Sequence, residues 1–117
     1  MLFDIEEGEA ADGGPVLAVQ GELDSETAPR LAAAVDRGLA TGPDRIVIDL
    51  TGTSYLDSRG ARELAASSRR AAGAGTALTV VCPRENRRLW RVFDLLGLPS
   101  AVDVVTDRAH LDPDRRP

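Results

Sequence analysis

Asp57 and Ser58 are the residues of this chain whose types and positions are best suited to chemistry. They stand between a short apolar segment and residues 61–66, which predict a helix, and both residue types are preferred as helix N-caps. A serine hydroxyl is therefore expected at the surface, at the start of a helix, with the small residues Gly60 and Ala61 just behind it. This is the first candidate functional position. The alternative is a plain helix cap, which contributes only about 1 kcal/mol to stability.

The residue types that enzymes use are otherwise sparse. A nucleophilic triad needs a base, and the one histidine is His110, near the C-terminus. A zinc site needs clustered Cys and His, whereas this sequence contains one of each. The phosphate-binding patterns GxxxxGK and GxGxxG do not occur. We therefore expect a protein that is not an enzyme and that uses no metal ion and no cofactor.

Three further residue types have both a structural and a functional interpretation. Cys82 closes a predicted buried strand, and we interpret it as a small core residue rather than a reactive thiol. Trp90 lies beside the apolar stripe of a predicted helix. Its ring either covers a sheet edge or a loop, or anchors a partner, because tryptophan is enriched at interface hot spots. The neighbouring arginines form a solvated helix face or meet an acidic partner: Arg84, Arg87, Arg88 and Arg91.

The composition is typical of a single globular domain. The chain has 117 residues, of which 43% are hydrophobic and 28% charged, and its net charge is −5. A net acidic chain argues against non-specific nucleic-acid binding. No apolar segment approaches the roughly 20 residues that cross a bilayer, and the N-terminus does not resemble a signal peptide. With one cysteine and no export signal, a cytoplasmic protein without membrane or nucleic-acid partners is expected.

The elements that position Ser58 follow from hydrophobic periodicity. Residues 46–50 predict a buried central strand, residues 51–54 a turn, and Tyr55 and Leu56 a return to the core. Strands are predicted at residues 2–6, 16–19, 77–82 and 102–105. A helix capped by Asp24 or Ser25 follows the second strand, and another follows the strand at 77–82. The Ser58 helix is expected to bury Ala61, Leu64, Ala65, Ser68 and Ala72; the last helix is expected to bury Leu89, Val92, Phe93 and Leu96.

The predicted order of elements is β-β-α-β-α-β-α-β. Strands joined by helices pair in parallel through right-handed crossovers. The sequence therefore predicts an α/β domain over residues 1–106, with a mixed four- to five-stranded sheet covered by helices. Residues 107–117 are expected to form a polar C-terminal tail that frays.

Four short motifs, in order along the chain, resemble the successive signatures of STAS domains, and most closely those of the small free-standing anti-sigma factor antagonists of bacteria. The resemblance extends over about the first 105 residues, within the size of one domain. The motifs are Gly21-Glu22-Leu23-Asp24, Ile46-Val47-Ile48-Asp49-Leu50, Leu56-Asp57-Ser58-Arg59-Gly60 and Phe93-Asp94-Leu95-Leu96-Gly97-Leu98.

The resemblance implies a role in partner switching that controls sigma-factor-dependent transcription. The phosphoacceptor position of the family matches Ser58, and Asp24 and Asp57 match its acidic neighbours. In such a protein the unphosphorylated form binds an anti-sigma factor that is also a serine kinase, phosphorylation releases it, and a PP2C-type phosphatase resets the switch. A monomer is expected. The partner-binding surface is predicted to contain Asp24, Asp57, Ser58, Arg59, Arg62 and Trp90.

The chain departs from the family pattern beside the acceptor. The second serine of the family is Arg59 here, and its Gly-Leu-Gly is Gly60-Ala61-Arg62. These arginines can pair with a phosphate and soften the switch, or select a different kinase. Two alternatives remain open: a non-switching STAS scaffold or adaptor subunit of a sensory or transport complex, and a nucleotide-binding protein, for which the sequence contains no phosphate cradle.

Overall fold

Six strands and three α-helices alternate along residues 3–111, the part of the chain that this computed structural model describes. The helices are α1 (Ala28–Leu39), α2 (Ser58–Gly73) and α3 (Arg87–Leu96), and two short 3-10 turns follow at Leu98–Ser100 and Arg108–Leu111. The strands are β1 (Asp4–Glu9), β2 (Pro15–Leu23), β3 (Arg45–Asp49), β4 (Thr53–Leu56), β5 (Ala77–Val81) and β6 (Asp103–Val105).

The strands form one mixed sheet in the order β1-β2-β3-β5-β6. β1 is antiparallel to β2, whereas β2, β3, β5 and β6 pair in parallel, as helix-linked strands should. The predicted α/β fold with a mixed sheet is therefore confirmed. The sheet has one strand more than predicted, because residues 53–56 form β4 instead of a turn and a return to the core.

The additional strand exists because β2 is longer than its neighbour β3. The first half of β2 pairs with β3, from Val16 opposite Val47 to Ala18 opposite Asp49. Beyond a register shift between Gly21 and Glu22, the second half pairs in parallel with β4 and places Leu23 opposite Leu56. β4 therefore satisfies the backbone groups of β2 that β3 does not reach.

The two faces of the sheet are packed differently. Alternate strand residues form one core with side chains from all three helices, so the helices cover this face. That core includes Leu17, Val19, Ile46, Ile48, Val80, Leu31, Val35, Leu64, Leu89 and Phe93. The opposite face carries a smaller buried cluster of Val16, Val47 and Val81.

Several predicted core positions are wrong, for reasons of phase. α2 buries Ser67 and Ala71 in place of Ser68 and Ala72, because the helix presents residues 60, 64, 67 and 71 to the sheet. Tyr55 is 45% exposed, and the buried residues of β4 are Thr53 and Leu56. In α3, the predicted core residue Leu96 is exposed, and Leu98, just after the helix ends at Gly97, is buried instead.

Asp49, at the end of β3, is a buried carboxylate with three hydrogen-bond donors. Its Oδ1 accepts from the backbone N of Thr51 at 2.9 Å and from Thr51 Oγ1 at 2.6 Å. Its Oδ2 accepts from Nε of Arg108 at 2.6 Å. The beginning of the predicted tail is thus tied to the end of the central strand. Residues 112–117 and the side chain of His110 lie outside the described part of the structure.

Replacing Asp49 with alanine is expected to lower the free energy of unfolding by about 2–3 kcal/mol, because it removes a charged acceptor that is only 6% exposed and leaves the Arg108 guanidinium without its partner. Urea unfolding measures this loss. Asp36→Ala is the matched control, since Asp36 pairs with Arg70 at 3.1 Å on the exposed surface and should contribute less than about 1 kcal/mol. Equal losses in the two variants would contradict the structural role of Asp49.

Candidate functional site

The start of α2 presents Ser58 as the sequence predicts. Asp57 is the N-cap, in an extended conformation (φ −107°, ψ −176°), and its Oδ1 accepts from the backbone N of Arg59 and of Gly60, both at 2.9 Å. Ser58 is the first residue of the 16-residue helix and is exposed to solvent. The side chain that caps the helix is that of Asp57, and the hydroxyl of Ser58 takes no part in the cap.

Packing against β2 fixes the position of this helix start. The backbone N of Asp57 donates to the carbonyl oxygen of Leu23 at 3.3 Å. Gly60 is buried, and a Cβ atom there would collide with the same carbonyl oxygen and approach Cδ1 of Leu56 to 2.8 Å. Only glycine allows this close approach of α2 to the end of β2. The serine is therefore held on a rigid junction of two strands and a helix.

Asp24 lies beside Asp57 because of strand register. Leu23 and Leu56 are paired in the sheet, and each aspartate is the residue that follows. Because the strands are parallel, both aspartates follow the carboxyl ends of neighbouring strands and lie at the same end of the sheet. The structure thus brings together two acidic residues that are far apart in sequence.

Asp24 stabilises the turn before α1. The sequence predicts Asp24 or Ser25 as the N-cap of this helix, and neither residue is in the N-cap position. Oδ1 of Asp24 accepts from the backbone N of Glu26 at 2.9 Å and of Thr27 at 3.1 Å. The helix then begins at Ala28, with Thr27 in the N-cap position and without a side-chain cap. Pro29 lies in the first turn, where its missing N–H costs no hydrogen bond.

Arg59 and Arg62 lie on α2 beside the serine and line a groove of about 650 Å³ that Ser25 and the first half of α1 complete. The sequence predicts Arg59 and Arg62 as part of the partner-binding surface. It does not predict the groove or the position of Arg69, which also lines it. The sequence signal was the spacing of Arg59, Arg62, Ala66 and Arg69, which places these residues on one face of a helix.

Trp90 is bound within the fold. Its Nε1 donates to the carbonyl oxygens of Pro83 at 3.1 Å and Cys82 at 3.3 Å, and its ring meets Phe93 edge-on at 5.5 Å between centroids. The guanidinium of Arg84 lies over the ring, 4.8 Å from its centroid. The ring therefore covers the loop after β5, which is one of the two interpretations of the sequence. Its use as a partner anchor stays a prediction.

The remaining reactive candidate, Cys82, has the environment of a core residue. It is fully buried, and this burial, together with the nearby charge of Asp49, raises the pKa of its thiol to about 12. Among the described residues no group of three or more His, Cys, Asp or Glu side chains is arranged to hold a metal ion. None of the described helices combines the length and the apolar character that crossing a membrane requires.

Known proteins resemble this chain along most of its length. A family model described as "Mlab, STAS domain" matches residues 8–105. The anti-sigma-F factor antagonist RsfB of Mycobacterium tuberculosis is 40% identical over 57 residues, which cover 49% of this chain and 47% of that protein. The chain thus spans about half the length of the curated relatives it matches.

Solved structures with the same fold extend the comparison. An anti-sigma factor antagonist from Mycobacterium paratuberculosis superposes with a TM-score of 0.79 at 26% identity, over 91% of this chain and 87% of that one. The anti-sigma factor antagonist SpoIIAA in its unphosphorylated form superposes with a TM-score of 0.74 at 18% identity, over 96% of both chains. The phosphorylated form of the same Bacillus protein gives a TM-score of 0.67.

The family model covers most of the sequence, and at 18% identity the likeness to SpoIIAA is one of fold. The resemblance to STAS domains that the sequence motifs indicated is confirmed, and the chain belongs to the STAS-domain family.

Proposed function

We propose that this protein is an anti-sigma factor antagonist that binds an anti-sigma factor with serine kinase activity and is released when Ser58 is phosphorylated. The observation that carries the proposal is the exposed hydroxyl of Ser58 at the first position of α2, at the end of the sheet where the paired strands β2 and β4 are followed by Asp24 and Asp57. Two lines of comparison support it. RsfB is named as an anti-sigma-F factor antagonist, and SpoIIAA has been solved with and without a phosphate.

A phosphate at this position changes the surface without a need to change the fold. A phosphoserine adds about −1.5 to −2 charges, and the N-terminus of α2 tolerates negative charge because the helix dipole and the first N–H groups favour it. For the partner, in contrast, the phosphate lowers binding affinity. An interface centred on Ser58 would have to bury the phosphate next to the Asp57 carboxylate, which costs affinity. Moving a complex from mostly bound to mostly free requires about 5.5 kcal/mol of differential affinity.

The proposed binding surface consists of the two carboxylates, the serine and the adjacent arginines: Asp24, Asp57, Ser58, Arg59 and Arg62. Trp90 is retained as a peripheral predicted contact. Because Ser58 is exposed, both a kinase and a PP2C-type phosphatase could reach its hydroxyl. The role requires no catalytic residue, no cofactor and no nucleic-acid contact from this chain, and we place the protein in the cytoplasm as a monomer.

The proposal is tested by phosphorylation with the cognate anti-sigma factor kinase and ATP. We expect intact-protein mass spectrometry to show one added phosphoryl group and peptide mapping to place it on Ser58. Ser58→Ala should stay unmodified. Ser54→Ala is the matched control, because Ser54 is an exposed serine in the adjacent strand and its loss should leave the modification unchanged.

Two outcomes would contradict the phosphorylation proposal. A phosphoryl group on Ser54, with Ser58 unmodified, would move the acceptor to β4. A kinase that binds the protein tightly but never modifies it would favour the alternative of a non-switching STAS scaffold or adaptor subunit in a sensory or transport complex.

A further inference from the structure

The groove between α1 and α2 has a floor of small apolar side chains. From α1 these are Ala28, Pro29 and Ala32, and from α2 they are Ala65 and Ala66. A volume of about 650 Å³ lies within the usual range for binding sites, and small residues on both walls leave room for the side chains of a partner. The groove is formed by helices and contains no strand edge, so a segment bound in it gains no β-ladder hydrogen bonds.

Positive charge lines the α2 side of this groove. Arg59, Arg62 and Arg69 are exposed and share one face of the helix. Within the described residues, none of these three arginines makes an ion pair. The one carboxylate among the lining residues, Glu63, is already occupied, since it accepts from Ser67 Oγ at 2.8 Å and from Arg70 at 3.3 Å.

We propose that this groove binds an acidic amphipathic helix of the partner protein. The alanine floor accepts the apolar face of such a helix at positions i, i+3, i+4 and i+7, which is the usual mode of helix recognition in a groove. The three free guanidinium groups then pair with carboxylates along its flank, because arginine forms two parallel hydrogen bonds with a carboxylate. The concentration of positive charge is local, since the chain as a whole has a net charge of −5.

This inference deepens the proposed function and rests on it, because the groove begins at the phosphoacceptor. Arg59 follows Ser58 directly. Arg62 lies four residues after Ser58, a spacing at which two side chains are neighbours on a helix surface. A phosphate on Ser58 would draw these two arginines to itself and add negative charge at the mouth of the groove. Both effects weaken the binding of an acidic helix. The arginines that distinguish this chain from the family pattern would therefore take part in the release of the partner.

The test is a titration of the ¹⁵N-labelled full chain with a synthetic helical peptide of about four turns, with leucine and alanine on one face and glutamate on both flanks. We expect amide shifts in the first half of α1 and along α2. The double variant Arg62→Glu/Arg69→Glu should weaken binding at least about tenfold, since it replaces attraction by like-charge repulsion. The matched control, Arg88→Glu/Arg91→Glu on the exposed face of α3, should bind like the wild type.

Several results would overturn the docking proposal. One is equal binding of a peptide in which lysine replaces every glutamate. Another is a set of shifts on α3, or an equal loss of binding in the α3 variant. A third is dimerisation of the chain without peptide, accompanied by concentration-dependent amide shifts of the groove residues. The occupant of the groove would then be a second copy of the chain. The titration needs neither kinase nor ATP, so a negative result would leave the phosphorylation of Ser58 to be decided by its own experiment.

Discussion

The Ser58→Asp variant is expected to bind the cognate anti-sigma factor about a hundredfold more weakly than the wild type or Ser58→Ala, since like charges facing across an interface cost several kcal/mol. The aspartate adds a carboxylate beside Asp57, at the point where Asp24 also leaves the sheet. Its fixed charge is smaller than that of a phosphate, so authentic phosphorylation should have a larger effect. Isothermal titration calorimetry of the three proteins with the anti-sigma factor measures the difference.

The same variant separates binding from folding. Aspartate in the first turn of a helix is favoured by the dipole, so the melting temperature of Ser58→Asp should equal or exceed that of the wild type. Ser54→Asp provides a control for added charge, because it places a carboxylate on the exposed side of β4. If Ser58→Asp binds the anti-sigma factor as tightly as the wild type does, Ser58 is only the first residue of a capped helix and the scaffold alternative is favoured.

The Gly60→Ala variant is expected to lower the free energy of unfolding by about 2–4 kcal/mol, since overpacking against backbone forces the surroundings to move. A single methyl group at this position meets the carbonyl oxygen of Leu23 and the side chain of Leu56. The carbonyl belongs to the end of β2 and also accepts the hydrogen bond from Asp57 N, so α2 must shift away from the sheet. We expect the shift to displace Ser58 and weaken partner binding in the fraction that stays folded.

Gly73→Ala is the matched control for Gly60→Ala. Gly73 is the last residue of the same helix, and a Cβ atom there would meet nothing within 4 Å. Alanine is a better helix former than glycine, so this variant should be neutral or more stable by up to about 1 kcal/mol. Chemical unfolding of both variants measures the contrast. If Gly60→Ala were as stable as Gly73→Ala, the close approach of α2 to β2 would not be what holds the serine in place.

Features that depend on neighbouring residues in the chain could be predicted from the sequence. The sequence predicts that Asp57 caps a helix, and its hydrogen bonds to the backbone of Arg59 and Gly60 span two and three residues. The alternation of apolar strands and amphipathic helices predicts the α/β fold for the same reason. The hydrophobic period that identifies a strand or a helix lies within the residues of that one element. The family was recognised from four such local motifs.

Features that depend on which segments meet were decided only by the tertiary structure. Residues 53–56 are typical of a turn and a return to the core in the sequence, because their strand character comes from pairing with the second half of β2, about thirty residues earlier in the chain. The sequence predicts a fraying tail that includes Arg108, whereas the contact of Arg108 with Asp49 spans 59 positions and exists only in the folded chain. The sequence does not determine the phase of α2 at Ser68 and Ala72, because small residues occur on several sides of the helix and only its packing in the folded chain selects Ser67 and Ala71 for burial.

The candidate site shows the same division. The sequence by itself determined that Ser58 begins a helix, that Asp57 caps it and that Arg59 and Arg62 follow on the helix surface. Only the tertiary structure placed Asp24 beside Asp57 and turned one face of α2 towards α1 to form the groove. The physical reason is that a helix cap is satisfied by backbone groups two or three residues away, whereas a sheet edge and a groove exist only after distant segments have paired.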